Sequence, residues 1–405
     1  MQIKSNLQVE YCGLTFENPV LIASANVSAN AEMVERGFHH GFSGVAFKTI
    51  GIDTQNVINL SPRMAAYKYQ NKVIGWQNWE QISDSPLEKN LEAFRYLKKN
   101  WPNKILISSI MGFSMKEWVD LAVMSSQAGV DMIELNLSCP HMMQEEAGMK
   151  IGQTVELIQK ITQTVKNTVD LPVTVKLTPN ISDINEPALS AKNGGADGLV
   201  AINTVSGLIG IDTDTYKPKL NAWGLGAISG YSGPAIKPIG LAQVAKLAQN
   251  KNLNLPISGI GGIENATDVL EYMLCGATNV QICTAIMMHG YGIIEKILTG
   301  LDQHLQEKEF NSISEIIGKA LPNITSVEKI DKSRQAYIEF DTKRCKSCKK
   351  CYTSCRDAGG QCIVWDDEKN IPLMADKNMC HSCMICADVC VVNPPVPYLV
   401  ENSKK

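Results

Sequence analysis

The sequence predicts an α/β protein in which a (β/α)8 TIM barrel precedes a small C-terminal α+β module. Short β-branched runs alternate eight times with longer segments of helical period before residue 300, the pattern of repeated βα units. Eight of the thirteen cysteines fall in two evenly spaced runs within residues 345–390. No Gly-x-Gly-x-x-Gly follows an early strand, which argues against a doubly wound dinucleotide-binding sheet.

The strand candidates are 19–24, 44–49, 105–111, 132–137, 172–177, 198–203, 255–259 and 279–284. Each is a short, mainly apolar run such as Val20-Leu21-Ile22-Ala23 or Val173-Thr174-Val175. Amphipathic stretches at 87–99, 115–128, 154–168 and 239–248 supply helices between them. Residues 1–300 therefore form the barrel, 301–335 a connector with a helical segment at 313–321, and 336–405 the cysteine module. At 405 residues and 44% hydrophobic content the chain can bury one large core and one small one. A net charge of −3, from 38 basic and 41 acidic residues, leaves no basic face for nucleic acid. The N-terminus lacks a secretory h-region and no run of ~18 apolar residues occurs, so a cytoplasmic protein without a membrane anchor is expected.

In a reducing cytosol, cysteine runs are metal ligands more often than disulfides. The runs are Cys345-x2-Cys348-x2-Cys351-x3-Cys355 and Cys380-x2-Cys383-x2-Cys386-x3-Cys390. This is the spacing of two-cluster bacterial ferredoxins, in which the fourth cysteine of a run ligates the other cluster. Cys345, Cys348, Cys351 and Cys390 are thus expected around one [4Fe–4S] cluster, and Cys380, Cys383, Cys386 and Cys355 around a second. Zinc sites usually pair two Cys-x2-Cys units and fit less well. Arg356 and Val391 stand where such runs usually continue with proline, which alters the backbone after the ligand but removes no donor. Cys362, Cys12, Cys275 and Cys283 lie outside the runs and read as packed thiols.

In a (β/α)8 barrel the chemistry sits at the C-terminal strand ends. Those ends carry Ser24, Lys48-Thr49, Asn136-Leu137-Ser138-Cys139, Lys176, Asn203-Thr204, Gly261-Gly262 and Cys283-Thr284. Glycines after the seventh strand and Thr284 after the eighth match the usual phosphate position of the fold. Lys48 and Lys176 end apolar strands, where a buried ammonium needs a counter-charge; a flavin anion would supply one, and an internal salt bridge is the alternative. Asn78, Asn136 and Asn203 suit paired hydrogen bonds to a flat heterocycle, though turns and caps also use asparagine.

Asn136-Leu137-Ser138-Cys139-Pro140-His141, Val175-Lys176-Leu177-Thr178-Pro179-Asn180, Gly194-Gly195-Ala196-Asp197-Gly198, Ala201-Ile202-Asn203-Thr204-Val205, Ser229-Gly230-Tyr231-Ser232-Gly233 and Ile260-Gly261-Gly262-Ile263 occur in this order before the cysteine runs. Together they resemble the catalytic subunits of bacterial NAD-dependent dihydropyrimidine dehydrogenases, over nearly the whole chain. The resemblance implies an FMN-containing barrel related to dihydroorotate dehydrogenase, fused to a ferredoxin-like module, that reduces uracil or thymine to the 5,6-dihydropyrimidine. It implies FMN contacts by Ser24, Lys48, Thr49, Asn136, Lys176, Gly233, Ile260, Gly261, Gly262, Cys283 and Thr284. The pyrimidine would meet Asn78, Asn136, Leu137, Ser138, Asn203 and Thr204, with Glu80 and His141 lining the same pocket. Cys139 takes the place of the family's catalytic acid.

Related eukaryotic chains carry FAD and NADPH domains that are missing here. A separate FAD-containing subunit that oxidises NADH or NADPH, in a heterotetramer, is therefore implied. The 142–150 loop departs from the family pattern. Two alternatives stay open: a dihydroorotate dehydrogenase, whose corresponding turn resembles Asn-Leu-Ser-Cys-Pro-Asn where this chain has His141, and a non-catalytic electron-transfer subunit with the barrel as scaffold.

Overall fold

The computed structural model describes residues 3–52, 57, 59–137, 154–333 and 335–401. Two compact units divide the chain, Met1–Ile324 and Thr325–Lys405.

The first unit is a closed barrel of eight parallel strands: β1 (Val20–Ile22), β2 (Gly44–Ala46), β3 (Ile105–Ile110), β4 (Met132–Asn136), β5 (Val173–Leu177), β6 (Gly198–Ala201), β7 (Ile257–Ile260) and β8 (Asn279–Ile282). Each pairs with its sequence neighbour, and β8 closes on β1 through Val280 opposite Val20 and Ile282 opposite Ile22. These are the eight runs expected from sequence, most of them trimmed at the C-terminal end. The trimmed residues, such as Lys48, Asn203 and Thr284, leave the ladder and turn toward the barrel mouth. Strands buried on both faces read as unbroken Val, Ile and Leu runs, and here every residue of β1, β2, β3, β5, β6 and β8 is buried.

Local chemistry sets the helix ends. Asn30 Oδ1 accepts from Met33 N at 2.9 Å to start Ala31–His40, which stops at Gly41 with φ of 112°. Asn265 and Asp268 form a reciprocal capping box at the start of Ala266–Leu274. The helix Ile293–Glu307 and the turn Ile313–Ile316 bury Leu301, Leu305, Ile313 and Ile316 in the barrel unit's core.

A four-stranded antiparallel sheet interrupts the βα repeat. Met64–Tyr69 and Lys72–Asn78 come from the β2–β3 connection, Val205–Gly207 and Ser229–Ser232 from the β6–β7 connection. It joins insertions far apart in sequence and was not expected from the repeat pattern. Gln77 ties them together: its Nε2 donates to Ala227 O and Ser229 Oγ, and its Oε1 accepts from Ile209 N. Tyr231 lies on Gly75, where an added Cβ would sit 2.1 Å from the phenol oxygen.

The second unit holds two antiparallel strand pairs, Ala336–Phe340 with Pro397–Glu401 and Ile363–Asp366 with Ile371–Met374. Two short helices, Lys350–Ala358 and Ile385–Asp388, carry cysteines. Its small core is built from Ile338, Cys355, Cys362, Ile363 and Cys386. Among the described residues, no helix is long and apolar enough to cross a membrane.

Candidate active site

At the C-terminal end of the barrel lies a cavity of about 1190 Å³, its open mouth included. It is lined by Ser24, Lys48, Thr49, Asn78, Glu80, Asn136, Lys176, Asn203, Thr204, Gly233, Ile260, Gly261, Gly262, Cys283 and Thr284. Residues from seven strand ends and from the antiparallel sheet therefore meet in one space. Leu137 is buried beside Asn136 and does not line the cavity. Ser138, Cys139, His141 and the 142–150 loop lie outside the described residues.

A polar relay crosses the floor. Ser24 Oγ and Thr49 Oγ1 are 3.2 Å apart, Thr49 Oγ1 meets Ser109 Oγ at 2.9 Å, and Asn136 Nδ2 donates to Thr49 Oγ1 at 2.9 Å. Asn203 Nδ2 donates to Asn136 Oδ1 at 3.3 Å, and Asn203 Oδ1 accepts from Thr204 N at 2.8 Å. Five strands thereby fix one row of amides and hydroxyls. Asn78 approaches from the antiparallel sheet: its Nδ2 donates to Gly230 O and its Oδ1 accepts from Glu80 N, both at 3.2 Å.

Both strand-end lysines are buried and have protein counter-charges. Lys48 Nζ bonds Asn26 Oδ1 at 2.8 Å and Glu80 Oε2 at 3.0 Å. Lys176 Nζ lies 3.7 Å from Glu134 Oε1, and Glu134 is fully enclosed, with Gln281 Nε2 donating to its other oxygen at 3.1 Å. The salt bridges considered as alternatives from sequence are thus present. Each lysine also faces the cavity, so an internal carboxylate does not preclude a second anion. Glu134, Gln281 and Asn26 were missed by sequence reasoning. A glutamate inside Met132–Asn136 and a glutamine inside Asn279–Ile282 were the available signal, since a polar residue in a buried strand needs a partner.

Opposite the relay the wall is glycine. Gly261 and Gly262 adopt φ of 135° and 69°, and Gly233 adopts 102°. An added Cβ on Gly262 would lie 2.8 Å from Gly233 O, and one on Gly233 would lie 2.9 Å from Gly75 Cα. These positions need both left-handed backbone and the space of a missing side chain. Four buried polar atoms of lining residues, Trp76 Nε1, Gln281 Oε1, Glu80 Oε1 and Glu264 Oε1, make no hydrogen bond within the described protein. Cys283 lines the mouth, where desolvation pushes its thiol up to about 11 despite the opposing pull of Lys176 and Lys48.

Residues 6–305 match the dihydroorotate dehydrogenase family. The chain belongs to that family. Within it, the chain is 41% identical to NAD-dependent dihydropyrimidine dehydrogenase subunit PreA of Escherichia coli (strain K12), over 91% of this chain and 90% of that protein. It is 37% identical to the chloroplastic dihydropyrimidine dehydrogenase (NADP(+)) of Arabidopsis thaliana, over 82% of this chain and 81% of that one. It is 38% identical to the dihydroorotate dehydrogenase B (NAD(+)) catalytic subunit of Pyrococcus abyssi, covering 99% of that protein but 78% of this chain. This member of the dihydroorotate dehydrogenase family therefore has a stretch for which the archaeal relative has no counterpart.

In the second unit the cysteines collect in two sets. Cys345, Cys348, Cys351 and Cys390 line one small cavity; Cys355, Cys380, Cys383 and Cys386 line another, together with Cys362. Each fourth cysteine has crossed to the other run's set. Burial and neighbouring thiols push Cys351 up to about 11 and Cys386 to about 12. Four thiolates would not persist together in either place without positive charge between them. Among the described residues, no three His, Cys, Asp or Glu side chains converge as ligands of one metal ion.

Proposed function

We propose that this chain is the catalytic subunit of a dihydropyrimidine dehydrogenase, reducing uracil or thymine reversibly to the 5,6-dihydropyrimidine in pyrimidine degradation. The observation that carries the reading is a conjunction: an amide-lined barrel cavity and a second unit with crossed four-cysteine sets, in one chain. The orotate-reducing alternative accounts for the first feature alone.

The cavity suits FMN. Its volume, the Gly233–Gly261–Gly262 cradle, the partnerless Trp76 and Gln281 atoms and the two lysines match a flat, anionic, hydrogen-bonding cofactor. When bound, the flavin would supply a hydride to C6 of the pyrimidine. Ser24, Lys48, Thr49, Asn136, Lys176, Ile260, Gly261, Gly262, Cys283 and Thr284 would hold it, with Gly233 completing the cradle. Lys176 and Lys48 would offset negative charge on the reduced ring. Asn78, Asn136, Asn203, Thr204 and Ser138 would grip the substrate, the amides holding its carbonyl and N–H edge in plane, while Leu137 stays in the core behind Asn136. The relay through Thr49 and Ser24 pre-orients Asn136, so little ordering cost remains when substrate arrives. Cys139 would hold a proton near neutral pH, its unperturbed pKa being about 8.5, and deliver it to C5 from the face opposite the flavin.

Each four-cysteine set suits a [4Fe–4S] cube, whose thiolates stand at its corners, farther apart than ligands of a single ion. Bound there, the clusters would pass electrons one at a time. A separate FAD-containing subunit would oxidise NADH or NADPH, in a cytoplasmic heterotetramer that involves neither membrane nor nucleic acid. The test is anaerobic purification of the chain with its flavin and iron quantified, followed by titration of the reduced protein with uracil and with orotate. Reoxidation by uracil is expected; reoxidation by orotate alone would transfer the chain to the dihydroorotate branch.

A further inference from the structure

The two four-cysteine sets are related by the internal repeat, and the crossover cysteines Cys355 and Cys390 hold equivalent places. Their surroundings differ. Six residues after Cys390, Val396 N donates to Cys390 Sγ at 3.4 Å. Six residues after Cys355, Gln361 N donates instead to Cys355 O at 3.2 Å, because Gln361 adopts a left-handed φ of 56° after the helix end. The backbone donor is spent on a carbonyl. One residue further on stands Cys362, 2% exposed, its Sγ 3.6 Å from Cys355 Sγ. The equivalent position after Cys390 is Pro397, which has no donor at all, yet both residues line their respective cavities.

We infer that Cys362 is a fifth thiol of the second set, a hydrogen-bond donor to the ligating sulfur of Cys355 that takes the place of the backbone donor on Cys390 and raises the potential of that cluster. The inference rests on the cluster reading above. Once Cys355 ligates iron its sulfur is a thiolate and can only accept, so the proton between the two sulfurs belongs to Cys362. Hydrogen bonds to cluster sulfurs draw charge from the metal and favour the reduced state, so this cluster has a higher potential with Cys362 than it would have without that donor. Sequence reading made Cys362 a packed thiol; its packing is real, and the partner it packs on gives it a role.

The experiment is a redox titration of the full chain, followed by low-temperature electron paramagnetic resonance, on the parent, Cys362→Ala and Cys362→Ser, with iron counted in each. Iron content is expected to stay near eight per chain. One of the two midpoint potentials should fall in Cys362→Ala and the other stay fixed, and Cys362→Ser, whose hydroxyl can still donate, should recover most of the shift. Two unchanged potentials in Cys362→Ala would return Cys362 to packing alone. So would a shift that serine fails to reverse, since that marks a volume effect, and loss of half the iron in both variants would make Cys362 a ligand or prop rather than a donor. A parent chain without iron would instead remove the cluster reading itself.

Discussion

Lys176→Met removes one half of an ion pair enclosed by the barrel and leaves the other half behind. Glu134 is 0% exposed and Lys176 is 4% exposed, with 3.7 Å between Nζ and Oε1. At an effective dielectric of about 20, two charges at that separation attract by about 4 kcal/mol. Stranding one buried partner typically costs about 3–5 kcal/mol. The lower end is expected, about 3 kcal/mol, because Gln281 Nε2 still serves one oxygen of Glu134 and the cavity admits water. Removing the carboxylate as well, in Lys176→Met with Glu134→Leu, should return stability to within about 1 kcal/mol of the parent, since no charge is then left unpaired. The assay is urea unfolding followed by tryptophan fluorescence; Trp76, Trp79, Trp101, Trp118 and Trp223 all belong to the barrel unit. If the double variant loses the sum of the two single losses, to within about 0.5 kcal/mol, the pair is not coupled and the argument fails. The single variant also reports on the cofactor. FMN retention should weaken or its potential fall, and an unchanged flavin would confine Lys176 to balancing Glu134.

Gly262→Ala should cut flavin content in the purified protein, because a left-handed φ of 69° costs an L-residue about 1–2 kcal/mol and the methyl group strikes Gly233 O; visible absorbance reads the occupancy. Iron analysis of the parent should give about eight irons per chain, and Cys355→Ser should damage the cluster of the Cys380 run, read by electron paramagnetic resonance. Zinc, or four irons in the parent, would contradict the two-cluster assignment. Cys139→Ala should leave iron, FMN and flavin reduction by an artificial donor intact while slowing flavin oxidation by uracil about 10²–10⁴-fold in a single turnover, with serine recovering little; unchanged reoxidation would direct attention to His141. The isolated chain should oxidise NADH at negligible rate yet accept electrons from a one-electron donor, and brisk NADH turnover would count against a separate flavoprotein partner.

The barrel could be read from the sequence because parallel strands buried on both faces must be apolar throughout, so Val20-Leu21-Ile22 and Val173-Thr174-Val175 announce themselves without reference to neighbours. The polar residues that end those runs were legible for the same reason: Lys48, Asn136 and Asn203 break a pattern that burial enforces. The antiparallel sheet was not legible. Its strands Met64–Tyr69 and Val205–Gly207 are half-exposed, short and separated by well over a hundred residues, so neither periodicity nor turn chemistry links them.

Cysteine spacing alone pointed to two sets of four, because three ligands with two residues between them can reach one centre and a fourth, after a longer step, cannot. Residue types at strand ends determined that polar atoms would gather at one end of the barrel. Tertiary structure decided what those atoms do to one another. It gave Lys176 a carboxylate from β4 and Lys48 one from the segment that follows the antiparallel strand Lys72–Asn78, and it turned two asparagines and a threonine into a connected row. It also brought Cys362 against Cys355 while leaving Cys390 to a backbone amide. Distances between side chains on different elements depend on how the elements pack, and no local pattern in the chain encodes them.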